Sequence, residues 1–181
     1  MAIIQTISPE TATGEIAAIY DQMKKMMGFV PSAMQMRSSS PFMLEMQMRG
    51  LGYYMQHPTL SMSLLACVRM LVSQKNDCAY CIDLNAGLLI NMMGWTIEQV
   101  AATRADPSSA NLPEKDKAML LFVLKGVGNS LSIEESDLDA LRALGWSDSD
   151  ILDGLGHGAQ MVAGDILINT FKVEKDFPDY P

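Results

Sequence analysis

The sequence predicts an all-α protein, a single-domain helical fold with a weak internal duplication. Three observations carry that expectation. Apolar residues recur at helical spacing almost throughout, and no run of β-branched residues alternates as a half-buried strand would. Gly, Pro and Ser/Thr cut the chain into helix-length pieces. At 181 residues, 49% apolar and 19% charged, the chain is long enough for one full core and too short for two ordinary domains.

In Gly14 to Met27, Ile16, Ile19, Tyr20, Met23, Met26 and Met27 share one broad face, with Ser8-Pro9 and Thr13 ahead of it as caps. Gly28-Phe29-Val30-Pro31 breaks that helix, and Ser40-Pro41 opens the next, Phe42 to Gln56. Pro58 ends it, and Ser61 or Ser63 starts a helix running to about Lys75. Capping-box signatures, Thr96-Ile97-Glu98-Gln99 and Ser132-Ile133-Glu134-Glu135, mark two later starts. Between them Asp106 to Asn111 reads as a loop. The last helix is expected over about Asp148 to Phe171, where Gly154, Gly156, Gly158 and Gly164 would let another helix approach closely, and the tail Asp176 to Pro181 is irregular. The expected organisation is an N-terminal arm (about 1–58), a helix pair around two cysteines (about 59–105) and a second helical half (about 111–175).

The duplication shows in two turns. Gly94-Trp95-Thr96 and Gly145-Trp146-Ser147 each follow one helix and cap another, and the same offset lays Ser61–Lys75 over Leu112–Gly126. It also lays Cys78 and Cys81 over Asn129 and Ser132, so the thiols are not duplicated.

A formal net charge of −8 and a pI near 4.6 repel phosphate backbones and anionic lipid, so neither nucleic acid nor a membrane surface is an expected partner. The start, MAIIQTISPE, lacks a basic segment before an apolar one, and no stretch is long enough to span a bilayer. A cytoplasmic location is therefore expected. In a reducing compartment a close Cys pair is catalytic or metal-binding more often than a permanent staple.

The pair is Cys78-Ala79-Tyr80-Cys81. Asn76-Asp77 reads as an N-cap, which would put Cys78 in the first turn of a helix and Cys81 one turn on, on the same face. A helix N-terminus favours the thiolate, and a second thiol can resolve a sulfenic acid to a disulfide. Other readings of the pair fit less well. A thioredoxin-type pair follows a strand, and a c-type haem site needs His where Ile82 stands. Structural zinc takes four ligands, and only Cys67, His57 and His157 remain, none at finger spacing. Two buried cysteines that merely pack are the plainest alternative. Cys67, among Leu64, Leu65, Val68 and Leu71, reads as packing. The 16 methionines, at helical spacing among Ile, Leu and Tyr, read as adaptable core or interface filler.

Leu71 to Cys81 closely resembles the hallmark of the alkyl hydroperoxidase D-like branch of the carboxymuconolactone decarboxylase family. Gly28 to Ala33 resembles that family's early segment. Leu141 to Asp148 with Ile151, and Asn169 to Phe177, resemble later parts of its peroxidase-related members. The resemblance implies an AhpD-like all-α fold and a homo-oligomer, trimeric or hexameric. It also implies peroxide reduction by the dithiol with no cofactor and no metal, and a dithiol or protein reductant to reset the disulfide. It makes Cys81 the thiol that attacks peroxide and Cys78 the one that resolves, whereas the helix-end argument favours Cys78 as attacker.

The family's relay Glu, twelve residues before the first Cys, is Ala66 here, and its His, four after the second, is Asn85. Neither titrates near neutrality, and a general base is worth about 10²–10⁴ in rate. Restoring both, Ala66→Glu with Asn85→His, is expected to raise turnover about 10-fold or more if the pocket kept room for them. Candidate substitutes are Asp83, whose plain reading is a solvated charge, and His157, otherwise a buried hydrogen-bonded His. Tyr80 would hydrogen-bond a substrate oxygen or simply pack, and His57 reads as a loop residue. The expected function is thiol-dependent peroxide reduction through Cys78 and Cys81. The alternatives are a non-catalytic oligomeric redox sensor or binding protein, and a lactone-acid decarboxylase, which would not rely on the pair.

Overall fold

The computed structural model describes residues 2–176 and 180. Among them lie nine α-helices, two short 3-10 turns and no strand, as the apolar spacing requires. No helix among these residues is long and apolar enough to cross a membrane. The chain divides into two compact units.

The first unit runs to Gln56 and takes in Leu167–Asp176. It holds α1 (Gly14–Met27), α2 (Ser32–Arg37) and α3 (Pro41–Met55). α1 ends where Gly28 turns left-handed (φ 83°), a conformation that costs glycine nothing. The short α2 was not anticipated, because six residues between two breakers carry too little periodicity to read. Ser40 caps α3, accepting from the Met43 N–H, with Pro41 at the first helical position. Tyr20, Met23, Val30, Met34 and Leu44 form the core, and Ile16, Ile19, Met48 and Leu51 pack against it. The methionines divide. Met23, Met34 and Met36 are buried, while Met26, Met43, Met46 and Met55 are exposed.

The second unit, His57–Ile166 with Tyr180, carries the cysteines. It holds α4 (Met62–Lys75), α5 (Ala79–Asn91), α6 (Ile97–Ala105), α7 (Glu114–Gly128), α8 (Glu135–Ala143) and most of α9 (Asp148–Thr170). From Leu64 to Ser73 only Arg69 of α4 is not buried, so this helix is apolar nearly all round and must be central. It packs on α5 and α7. α9 closes on α7 at Gly158, where an added Cβ would lie 2.5 Å from Val123 Cγ1. The expected close helix approach is realised there.

The duplicated turns share their local form. Gly94 and Gly145 both take positive φ (71° and 83°), and Trp95 and Trp146 are both buried. Thr96 caps α6 in a reciprocal box with Gln99, and Ser147 accepts from the Asp150 N–H at the start of α9. The other expected box shifts. Ser132 lies in a 3-10 turn with its hydroxyl donating to the Asn129 carbonyl, and α8 starts after Glu134, whose N–H donates to Asp137. The local Ser–backbone bond competes with capping and takes the serine out of play.

The expected tail bears on Tyr180 and Asp176, and residues 177–179 and 181 lie outside the described residues. Tyr180 rests on α5. Its N–H donates to Asp83, its hydroxyl accepts from Asn91, and its ring touches the Cα of Gly87 closely enough that a Cβ there would meet it at 3.0 Å. Its carbonyl accepts from Arg104.

Candidate functional site

The site is built by the reversal from α4 to α5. Asn76 ends α4, its N–H returning to the Val72 and Ser73 carbonyls. Asp77 turns left-handed (φ 52°), and the Cys78 N–H donates to the Ser73 carbonyl at 3.0 Å. Cys78 is itself the N-cap of α5, so Asn76-Asp77 is not the cap the sequence suggested. The reason is that Asn76 is already spent closing α4. Cys78 and Cys81 still share the first turn of α5, both buried and both free thiols.

Asp165 of α9, fully buried, meets them there. One carboxylate oxygen accepts from Ser73 Oγ and the other from Asn76 Nδ2, each at 2.9 Å. A carboxylate oxygen of Asp165 and the two sulfurs lie within 4.8 Å of one another. Among the described residues no Lys, Arg or His pairs with this carboxylate. The Cys81 thiol is held well above its ordinary range. The largest cause is its hydrogen bond to Cys78, then burial, then the charges of Cys78 and Asp165 and a hydrogen bond to Asp165. Two sulfurs and one carboxylate fall short of the four ligands of a structural zinc, and no larger donor cluster exists among the described residues.

The sequence pointed elsewhere for the acid. Ala66 is fully buried in α4. Asn85 is occupied. Its Oδ1 accepts from Arg69 Nε at 2.6 Å, and its Nδ2 donates to the Cys81 carbonyl at 2.8 Å. His157 Nε2 lies 3.1 Å from Arg69 Nη1, and since a guanidinium only donates, the ring accepts there. Burial and the Arg69 charge push its pKa down to about 3, so it stays neutral at physiological pH. Burial in turn lowers Arg69 to about 10, which leaves it charged. Arg69 thus fills the place where the relay was sought, holding Asn85 and His157 in a fixed polar cluster beside Cys81.

Asp83 is buried rather than solvated, because it accepts from the Tyr180 N–H. Tyr80 is buried as well. Cys67 is fully buried, and burial pushes its thiol up to about 12, in keeping with a packing role. His57 does lie between helices, but its ring is tied down: Nδ1 accepts from the Thr59 and Leu60 N–H groups, and Nε2 reaches Asp153 at 3.3 Å.

Asp165 is the residue that sequence reading passed over. Its signal was present as a lone acid in the otherwise apolar run Met161 to Leu167. A charge placed where the helical period calls for apolar side chains is seldom buried without a partner or a task.

No family model matches the sequence, and none of the curated proteins matches it. Solved structures do. An alkylhydroperoxidase AhpD core, an uncharacterized peroxidase-related protein from Ralstonia eutropha JMP134, superposes with a TM-score of 0.86 at 19% identity, over 97% of this chain and 92% of that one. A second uncharacterized peroxidase-related protein, from Silicibacter sp. TM1040, gives 0.79 at 20% identity over 95% and 87%. A variant of the debrominase Bmp8, in complex with 2,3,4-tribromopyrrole, gives 0.78 at 12% identity over 97% and 94%. This chain therefore has the AhpD-like all-α fold.

Proposed function

We propose that this protein reduces peroxides with the Cys78–Cys81 dithiol. The observation that carries the reading is the meeting of both sulfurs with a buried carboxylate at the start of α5. The fold, shared with peroxidase-related proteins, supports it. Cys81 keeps its proton, which leaves Cys78, at the N-cap of α5, to attack. Cys78 is accordingly the attacking sulfur. Its thiolate displaces the alkoxide of ROOH, which takes a proton and leaves as ROH, and the sulfur becomes a sulfenic acid. Cys81 then attacks that sulfur and expels water. Two sulfurs supply two electrons, and an external dithiol returns them.

Peroxide consumption is to be measured with a dithiol donor, alongside mass spectrometry of the intact chain. Loss of two protons, with consumption abolished by Cys78→Ser or Cys81→Ser, is the expected result. Separate sulfonic acids without a bridge would sink the dithiol cycle. Because a debrominase shares the fold, a brominated pyrrole belongs in the same assay. Dithiol-dependent loss of bromide without peroxide consumption would change the substrate while keeping the thiols.

We also propose a homo-oligomer, supported by the exposed apolar side chains of α3: Phe42, Met46, Tyr53 and Met55. Light scattering that returns a 19.8 kDa monomer at micromolar concentration would refute it.

A further inference from the structure

We infer that Asp165 relays the proton of the Cys81 thiol, passing it to the departing hydroxide as the disulfide closes and delivering one to Cys81 as the dithiol re-forms. This rests on the dithiol reading and supplies the group that Ala66 and Asn85 do not.

The geometry makes the case. A fully buried carboxylate is costly unless something compensates it. Here the compensation consists of neutral donors, Ser73 Oγ and Asn76 Nδ2, together with the Cys81 thiol. The groups facing Asp165 from α4 and its cap are Ser73 and Asn76, and from α5 Cys78 and Cys81. The Arg69 charge acts on Cys81, and Arg69 is anchored by Asn85 and His157. Among the described residues no cation pairs with the carboxylate, and the side chains that donate to its two oxygens are neutral.

The steps balance. In resolution, the Cys81 S–H proton passes to Asp165 as the sulfur attacks the Cys78 sulfenic acid. The S–O bond breaks, and Asp165 hands the proton to the departing hydroxide, giving water and a carboxylate again. In reduction, a thiolate of the external dithiol attacks Cys78, the Cys78–Cys81 bond breaks, and Cys81 leaves as a thiolate that Asp165 reprotonates with the proton the reductant gave up. The reductant's second thiol then attacks its own sulfur bound to Cys78, releasing Cys78 and an external disulfide. Other candidates are occupied: His157 accepts from Arg69, and Asp83 accepts from Tyr180.

The test compares the wild-type protein with Asp165→Asn, which keeps the shape and loses the proton site. Resolution of the Cys78 sulfenic acid is followed by stopped flow and mass spectrometry against pH. The variant is expected to resolve about 10²-fold more slowly, with a rate that climbs with pH as an unaided thiol's would, while sulfinic acid accumulates on Cys78. An unchanged rate and pH profile would overturn the inference. A second arm needs no peroxide: the pH midpoint for alkylation of Cys81 should fall in the variant, because a neighbouring negative charge is gone, and an unmoved midpoint counts against Asp165. If wild-type thiols never bridge under peroxide, the peroxidase reading fails while the alkylation arm still decides Asp165. Should the variant not fold, resolution in the wild type measured in heavy water is expected to slow, because a proton is in flight between Cys81 and Asp165 as the sulfur attacks. An equal rate in the two solvents would overturn the inference.

Discussion

Rebuilding the Glu–His relay of the family this sequence resembles, as Ala66→Glu with Asn85→His, tests whether the site is a damaged copy of that relay or a different arrangement. The sequence encouraged the expectation of faster turnover. Burial at both positions argues for the opposite outcome. Ala66 is fully buried on a helix whose neighbouring positions, Leu65 and Cys67, are buried too. A glutamate there is forced to neutralise or to go unpaired, and a buried carboxyl without a partner costs about 1–3 kcal/mol even when neutral. Overpacking adds about 1–3 kcal/mol. At position 85 the amide accepts a charged donor at 2.6 Å and donates to the Cys81 carbonyl at 2.8 Å. Losing a bond to a charged group costs about 1.5–3 kcal/mol, and the carbonyl bond about 1 more. Against a domain stability of about 5–15 kcal/mol, the double variant should lose roughly half or more of its reserve. Urea unfolding and peroxide turnover, measured on the same preparations, check this. The expected result is a midpoint far below wild type with no gain in turnover. A double variant that unfolds at the wild-type midpoint and turns over 10-fold faster would refute the reasoning, because it would show that the relay still has its pocket.

Three further outcomes follow from the packing. Gly158→Ala should destabilise by about 1–2 kcal/mol, since the new Cβ meets Val123 at 2.5 Å and the clash outweighs the better helix propensity; a higher urea midpoint would contradict the close packing of α9 on α7. His157→Gln should flatten the pH dependence of stability between about pH 3 and 6.5. The native ring binds its proton only near 3, so the unfolded chain binds more protons in that window, and the stability His157 contributes is present above 6.5 and lost as pH falls. Urea midpoints at pH 4, 5.5 and 7 decide it, and equal slopes in both proteins would argue against a neutral buried ring. Cys67, with its thiol pushed up to about 12, should stay unmodified by iodoacetamide at pH 8 until the protein is unfolded, as peptide mapping would show.

Most of the fold could be read because helices are local. The breaks at Gly28, Pro58 and the two Gly-Trp turns depend on residues within one turn of each other, and the structure places helix ends close to each. The thiol pair was legible for the same reason. What escaped was long-range. Asp165 lies 92 residues from Ser73, and the periodicity of α9 carries no information about which helix it will meet. The expected substitutes meet partners equally remote in sequence: Arg69 and His157 lie 88 residues apart, and Asp83 and Tyr180 lie 97 apart. Sequence spacing shows which side chains share a helix face, while pairing across the core has to be seen.

The same segment that positions the thiols also positions their acid. Ser73 is in the last turn of α4, Asn76 is its cap, and Cys78 follows two residues later with its N–H on the Ser73 carbonyl. Ser73 therefore fixes Cys78 through its backbone and Asp165 through its side chain. An acid carried on α4 itself, as at position 66, would be set by that helix's own register. One carried on α9 is set by two side-chain bonds and by the approach of α9 to the core at Gly158. This arrangement makes the acid removable without touching the thiol turn, so substitutions that loosen α9 should slow proton transfer while leaving Cys78 and Cys81 able to bridge. The duplicated half has no counterpart to this arrangement. α7 ends at Asn129, where the first copy has Cys78, and a 3-10 turn takes the place of the first turn of α5. With neither sulfur nor a helix N-terminus at the matching point, the second copy serves as the scaffold that brings α9, and with it Asp165, onto the first.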